Sequence, residues 1–557
     1  MRRTATLALS LFLVGCAATD TGTREAAVAS AHPLATEAGL DVLEAGGNAY
    51  DAAVATAAVL GVVEPYAAGI GGGGFWVLQD GEGEAVVVDA RETAPGRATA
   101  DMYLDNDGEP LPDRPSLNGA LAAGIPGQPA ALAHITREYG ALSLSDNLAD
   151  AIHHARNGFP VDERYHMLAG FRGDVMRDYT TTRELFLDEE GKPPEEGTLI
   201  HQTALAETLE ELANQGHEGF YRGEVAEALL ADVQQADGIW TLEDLHDYEL
   251  IERDPRRIKF GDATLVTAPA PSSGGIALAQ MFGMLEHRPV PEDAERIERV
   301  HLLSEMMRRA YRDRALHLGD PDFTDIPVTE LLDSDYLAEL AAAIDMDAAT
   351  ASSGLSGPGT DGTHTTHLSV VDDQGNAVSA TLSINYPFGS GVTSEQTGVV
   401  LNNEMDDFSI KPGEPNAWGL IGGEANKVEP GKRPLSSMSP SILNTPERLT
   451  VLGTPGGSRI ITMNFLGMLD ALDGTSPETI VARSRFHHQY EPDAIQHEPE
   501  TFSDGEKAQL RALGHELEDV GRQYGNMQLI QRQSMGETSA AADPRGVGSA
   551  EVRQLSD

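Results

Sequence analysis

Thr365 and Thr366 sit in the run His364-Thr365-Thr366-His367-Leu368-Ser369-Val370-Val371-Asp372, whose hydroxyls and imidazoles could serve acyl transfer. A threonine hydroxyl is a weak nucleophile until a base removes its proton. His364 and His367 flank the pair and could relay that proton, although a local strand role accounts for them more simply. Gly456 and Gly457 follow a strand ending at Thr454-Pro455 and precede a helix starting near Arg459. Backbone N–H groups at such a turn suit a developing oxyanion, while Pro-Gly-Gly alone is an ordinary turn. Gly71-Gly72-Gly73-Gly74 lacks the strand-first GxGxxG spacing with an acidic residue downstream, which rejects a dinucleotide site.

The elements that must position these groups are legible from periodicity. Thr365 to Ser383 reads as a β-hairpin around Asp373-Gln374-Gly375-Asn376, its second strand alternating through Val378, Ala380 and Leu382. After a short spacer, Pro33 to Gly46 places Leu34, Ala38, Val42 and Leu43 on one helical face, and Asp51 to Val63 is apolar all round, hence buried. Phe75–Gln79 and Ala85–Asp89 read as paired strands, and Gly119 to Gly238 as mostly helical. A strand pair spans Ile258 to Ala268; Arg296–Leu318 and Glu330–Ala343 read as helices. Thr350 to Thr363 is a small, polar loop suited to release after cleavage. Beyond it, strands (Thr397–Leu401, Ser439–Leu443, Leu449–Leu452, Met527–Gln531) mix with helices (Ile460–Leu472, Glu506–Leu513), as in sheets stacked under helices.

Thr365 to Val371, Gly375 to Thr381, Asn385 and Phe388-Gly389 together resemble the signature of γ-glutamyltransferases. The resemblance extends in order through Ala31-His32-Pro33-Leu34-Ala35, Gly46-Gly47-Asn48-Ala49, Gly71 to Phe75, Asp89-Ala90-Arg91-Glu92, Pro271-Ser272-Ser273-Gly274-Gly275 and Leu318 to Phe323. It continues through Asn402 to Phe408, Arg433 to Met438, Pro455 to Arg459, Arg485 to Gln489 and Asp543-Pro544-Arg545. It implies an α+β fold, the four-layer αββα sandwich of N-terminal-nucleophile hydrolases, assembled from two pieces of one precursor. These are a large subunit, 16–364, and a small one, 365–557, cut between His364 and Thr365.

The resemblance also assigns roles. Thr365 becomes the N-terminal nucleophile, its own α-amine serving as base at a pKa of about 7.7–8.0. Ser383 stands where the family usually has threonine hydrogen-bonded to the nucleophile; serine keeps the hydroxyl. Gly456 and Gly457 supply the oxyanion hole. Arg91 forks onto the α-carboxylate of a γ-glutamyl group, with Ser436 and Ser437 adding donors. Asp407, Glu404 and Asn385 receive its α-ammonium. Pro412 to Ala425 resembles the lid loop of many members, with Trp418 where tyrosine is frequent. The expected activity is γ-glutamyl transfer from glutathione or a related amide to water, amino acids or peptides, with no cofactor or metal. The alternatives are a related glutaryl or cephalosporin acylase, and an inactive anchored binding lipoprotein.

Composition sets further bounds. With 88 acidic against 39 basic residues the net charge is −49, which argues against nucleic acid or an anionic membrane surface as partner. That excess, with lysine confined to Lys192, Lys259, Lys411, Lys427, Lys432 and Lys507, fits a salt-tolerant surface or simply an exported low-pI protein. Met1-Arg2-Arg3 and the apolar Leu7–Val14 form a signal segment, 1–15, too short to span a membrane. Leu13-Val14-Gly15-Cys16 resembles a lipobox and makes Cys16, the single cysteine, the expected lipidation site. The expected location is the periplasmic face of a bacterial membrane.

Overall fold

The computed structural model describes residues 24–291, 293–352 and 365–555. The signal segment, Cys16 and His364 lie outside the described residues. A seven-stranded sheet runs in the order Ser549–Gln554, Glu25–Ser30, Thr365–Val371, Ala377–Ser383, Gly73–Gln79, Ala85–Ala90, Ile251–Arg253. A six-stranded sheet has the order Thr538–Ala542, Gln528–Gln533, Arg448–Gly453, Ser441–Asn444, Ala263–Thr267, Arg256–Phe260. Every pairing within these two sheets is antiparallel.

Three apolar clusters define the layers. Phe75, Val77, Val266, Ile442, Val451 and Ile530 fill the space between the two sheets. The outer face of the seven-stranded sheet packs against Ala49–Val63 and neighbouring helices. The other sheet packs against Gly274–His287, Arg296–His317 and Ile460–Leu472. This is the αββα sandwich expected. Every residue of Ala49–Val63 is buried, as its unbroken apolar sequence requires. Asn48 starts that helix with a capping box, its side chain accepting from the Tyr50 and Asp51 amides while Asp51 Oδ2 accepts from the Asn48 amide.

Both sheets draw strands from either side of position 365. The central pair of the larger sheet, Thr365–Val371 and Ala377–Ser383, lies between Glu25–Ser30 and Gly73–Gln79. Among the described residues a cut at 364/365 therefore severs no ladder, and separating the pieces would unpair strands on both sides of the hairpin. Thr350 and Ser352 are held as well. The Ser352 amide donates to Asp493 Oδ2 at 2.7 Å, Arg308 Nη1 donates to Ser352 Oγ at 2.6 Å, and the Thr350 amide donates to Glu305 Oε1 at 3.1 Å.

Three readings change. Thr397–Leu401 forms no strand beyond an isolated bridge, Thr393 to Val400; Gly398 adopts φ +69 and the apolar run is buried as a loop. Glu330–Ala343 divides into Val328–Leu331 and Ser334–Ala342, because Asp333 caps the second helix by accepting from the Asp335 and Tyr336 amides. The residues before Pro33, read as a spacer, include the strand Glu25–Ser30.

Candidate active site

The hairpin register places Ser383 directly opposite Thr365. Their hydroxyls approach to 3.3 Å, while the Asn385 amide donates to Ser383 Oγ at 2.8 Å. Because the Ser383 oxygen accepts there, its proton can point to Thr365. Thr365 is 5% exposed and lines a narrow cleft. The cleft is walled by Arg91, Ser383, Asn385, Asp407, Ser436, Ser437 and Gly457, with Arg314 and Trp418. Residues separated by hundreds of positions thus converge on the first residue of one strand.

Arg91 and Asp407, read as separate receptors for carboxylate and ammonium, bind each other here. Arg91 Nη2 donates to Asp407 Oδ2 at 2.5 Å, Nη1 lies 2.8 Å from Glu404 Oε2, and Nε donates to the Pro434 carbonyl at 3.2 Å. Glu92 stands behind, 3.6 Å from Nη1. Burial pushes the Glu92 and Glu404 carboxyls well above the usual range, against the pull of Arg91. Glu404, buried against the guanidinium, is a support for Arg91 more than an open ammonium receptor.

Asn385 is also engaged: its Nδ2 donates to the Asn403 carbonyl at 2.9 Å and its Oδ1 accepts from Trp418 Nε1 at 2.7 Å. That bond pins the loop over the cleft. The Asn416 side chain shapes the turn by accepting from the Trp418 and Leu420 amides, and the Ala417 amide donates to Asp406 Oδ2. Trp418 lies across Gly457, where an added Cβ would come within 2.6 Å of the indole. Gly457 has φ +56 and opens the turn Gly457–Arg459 that feeds the helix Ile460–Leu472, so glycine is required twice over. Gly456 precedes it; Gly457 is the one of the pair lining the cleft.

His367 lies away from this cleft. Its Nδ1 is 2.8 Å from Thr381 Oγ1, its Nε2 3.2 Å from Ser369 Oγ, and burial pushes its pKa down to about 3. It is a neutral strand residue, as its local reading requires. Arg314, Leu420, Leu435, Met438 and Ile460 line the cleft without having been singled out from sequence. A signal for Arg314 existed: it follows Met307 and Tyr311 at i+7 and i+3, on the buried stripe of a helix.

An αββα sandwich with a threonine hydroxyl opening a central strand defines an N-terminal-nucleophile hydrolase. The family profile described as Gamma-glutamyltranspeptidase matches residues 35–552. The glutathione hydrolase proenzyme of Pseudomonas aeruginosa is 42% identical, over 94% of this chain and 93% of its own. That of Escherichia coli is 38% identical over 94% and 91%. Among solved structures, a cephalosporin acylase from Bacillus halodurans superposes with TM-score 0.82 at 27% identity, covering 95% of this chain and 96% of its own. Helicobacter pylori γ-glutamyltranspeptidase superposes with TM-score 0.55 at 36% identity, covering 62% and 95%. The chain belongs to the γ-glutamyltranspeptidase family.

Proposed function

We propose that this protein is a γ-glutamyltransferase and glutathione hydrolase that matures by cutting itself between His364 and Thr365. The Thr365 hydroxyl attacks the His364 carbonyl, and the amide C–N bond breaks to free the Thr365 α-amine and leave an ester. Water then hydrolyses that ester to release the His364 carboxylate and restore the Thr365 hydroxyl. That amine then takes the hydroxyl proton as Thr365 attacks a γ-glutamyl amide, and Gly456 and Gly457 N–H groups receive the oxyanion. The leaving amine departs and water, an amino acid or a peptide accepts the acyl group from Thr365. The convergence of Thr365, Ser383, Arg91, Asp407, Ser436, Ser437 and Gly457 on one cleft carries this reading. Released p-nitroaniline from γ-glutamyl-p-nitroanilide tests it: release is expected, faster with glycylglycine as acceptor. A processed protein that releases none sinks the activity, and a chain found uncleaved on a denaturing gel supports an inactive binding protein instead.

The acylase reading has one observation behind it, the superposition on a cephalosporin acylase. The cleft chemistry favours γ-glutamyl donors, because Asp407 beside the carboxylate-binding Arg91 can receive an amine that a glutaryl donor lacks.

The N-terminal segment supports export followed by lipid attachment at Cys16. Among the described residues no helix is long and apolar enough to cross a membrane. Cys16→Ser is expected to abolish partitioning into detergent, leaving any exported body in the aqueous phase. Equal partitioning of variant and wild type would refute the lipobox.

A further inference from the structure

Two guanidinium groups face the cleft, and their surroundings are opposite. Arg91 is enclosed by Glu92, Glu404 and Asp407. Arg314, 5% exposed, forms no ion pair among the described residues; its side chain donates to two serine hydroxyls. A buried cation whose direct contacts are hydroxyls is costly unless an anion is supplied to it, and the Asp407 carboxylate acts on Arg314 without pairing with it directly. Arg314 lies where the cleft of Thr365 meets a neighbouring cleft beneath the 408–426 segment, so a bound anion can reach its field.

The hydrogen-bond directions are informative. Arg314 Nε donates to Ser273 Oγ at 3.0 Å, and Ser273 in turn donates to the Ser436 carbonyl at 2.7 Å. Arg314 Nη2 donates to Ser437 Oγ at 3.4 Å. A guanidinium only donates, so the Ser437 oxygen must accept and its proton is turned away, free for another acceptor. Ser436 Oγ likewise accepts from the Met438 amide at 3.0 Å, leaving its own proton to donate. One arginine therefore fixes the position of the Ser436 backbone and the polarity of the Ser437 hydroxyl.

We propose that Arg314 is a positioning residue for the donor's α-carboxylate, orienting Ser436 and Ser437 toward it and supplying a guanidinium charge that is in no direct ion pair among the described residues. The proposal rests on the γ-glutamyl reading above and goes beyond it by assigning carboxylate selectivity to a helix remote in sequence from both serines. Arg91 cannot meet the carboxylate alone without leaving Asp407, whereas Arg314 has no direct ion pair to break among the described residues.

The test compares γ-glutamyl-p-nitroanilide with 4-aminobutyryl-p-nitroanilide, the same donor without its α-carboxylate. Wild type is expected to prefer the γ-glutamyl donor. Arg314→Gln should shrink that ratio of kcat/KM by about tenfold or more, chiefly through KM for the γ-glutamyl donor. Arg314→Lys keeps the charge but not the two-armed hold, so its loss should be smaller, about threefold. A parallel fall for both donors would mark a purely structural role and overturn the proposal, as would an unchanged ratio or a wild type indifferent to the carboxylate. Should Arg314→Gln fail to mature, Arg314→Lys and Ser273→Ala decide by the same ratio, and an unchanged ratio in both overturns it. Wild-type enzyme inert toward γ-glutamyl-p-nitroanilide would instead sink the proposed function itself, so the two failures are told apart.

Discussion

Thr365→Ala is expected to yield one uncut chain with no measurable turnover. The substitution removes the group proposed to attack the His364 carbonyl, so no new N-terminus forms. It also removes the hydroxyl that would carry the γ-glutamyl ester. Loss of a covalent nucleophile costs on the order of 10⁶-fold in kcat, and here the base is lost with it because the α-amine is never freed. Folding should survive: Thr365 enters a ladder with Ser383 through its backbone, and alanine keeps that pairing. Intact mass and p-nitroaniline release check both halves of the expectation. An active variant, or wild-type cleavage at another bond, would overturn the mechanism.

The hairpin carrying Thr365 was legible because its alternation and its Asp373–Asn376 turn specify both strands, and register then follows from the turn. The strands Glu25–Ser30, Thr538–Ala542 and Ser549–Gln554 escaped notice. They are rich in alanine, serine and charged residues, and tertiary pairing overrides their weak strand propensity. At the site, residue types and family motifs pointed to positions most of which line one cleft, but not to what those residues touch without substrate. Arg91 and Asp407 carry opposite charges in a water-poor cleft, so they find each other. Asn385 and Trp418 pair for a similar reason: each buried polar group needs a partner, and the lid brings one to the other. Arg314 was hidden by its helix, where an arginine on an apolar stripe reads as a surface charge that snorkels outward.

The Arg91–Asp407 pair leads to the second large effect, discrimination between γ-glutamyl and glutaryl donors. A γ-glutamyl group brings a carboxylate for Arg91 and an ammonium for Asp407, so both protein charges exchange one partner for another. A glutaryl group brings only the carboxylate. It must compete with Asp407 for Arg91, at a site where the two are 2.5 Å apart, and it leaves two anions side by side. Leaving one member of a desolvated charge pair without its partner costs on the order of 2–5 kcal/mol, a factor of about 30 to several thousand in specificity. The wild-type protein should therefore use glutaryl-p-nitroanilide far less well than the γ-glutamyl compound. Asp407→Asn should narrow the gap by damaging the γ-glutamyl reaction far more than the glutaryl one. Arg91→Ala should injure both, because both donors carry the carboxylate. The fold does not decide the matter, since the same sandwich superposes on a cephalosporin acylase. If kcat/KM for the two donors agrees within about threefold in the wild type, less than about 1 kcal/mol of discrimination, Asp407 is not reading an amine and the acylase assignment replaces the γ-glutamyl one.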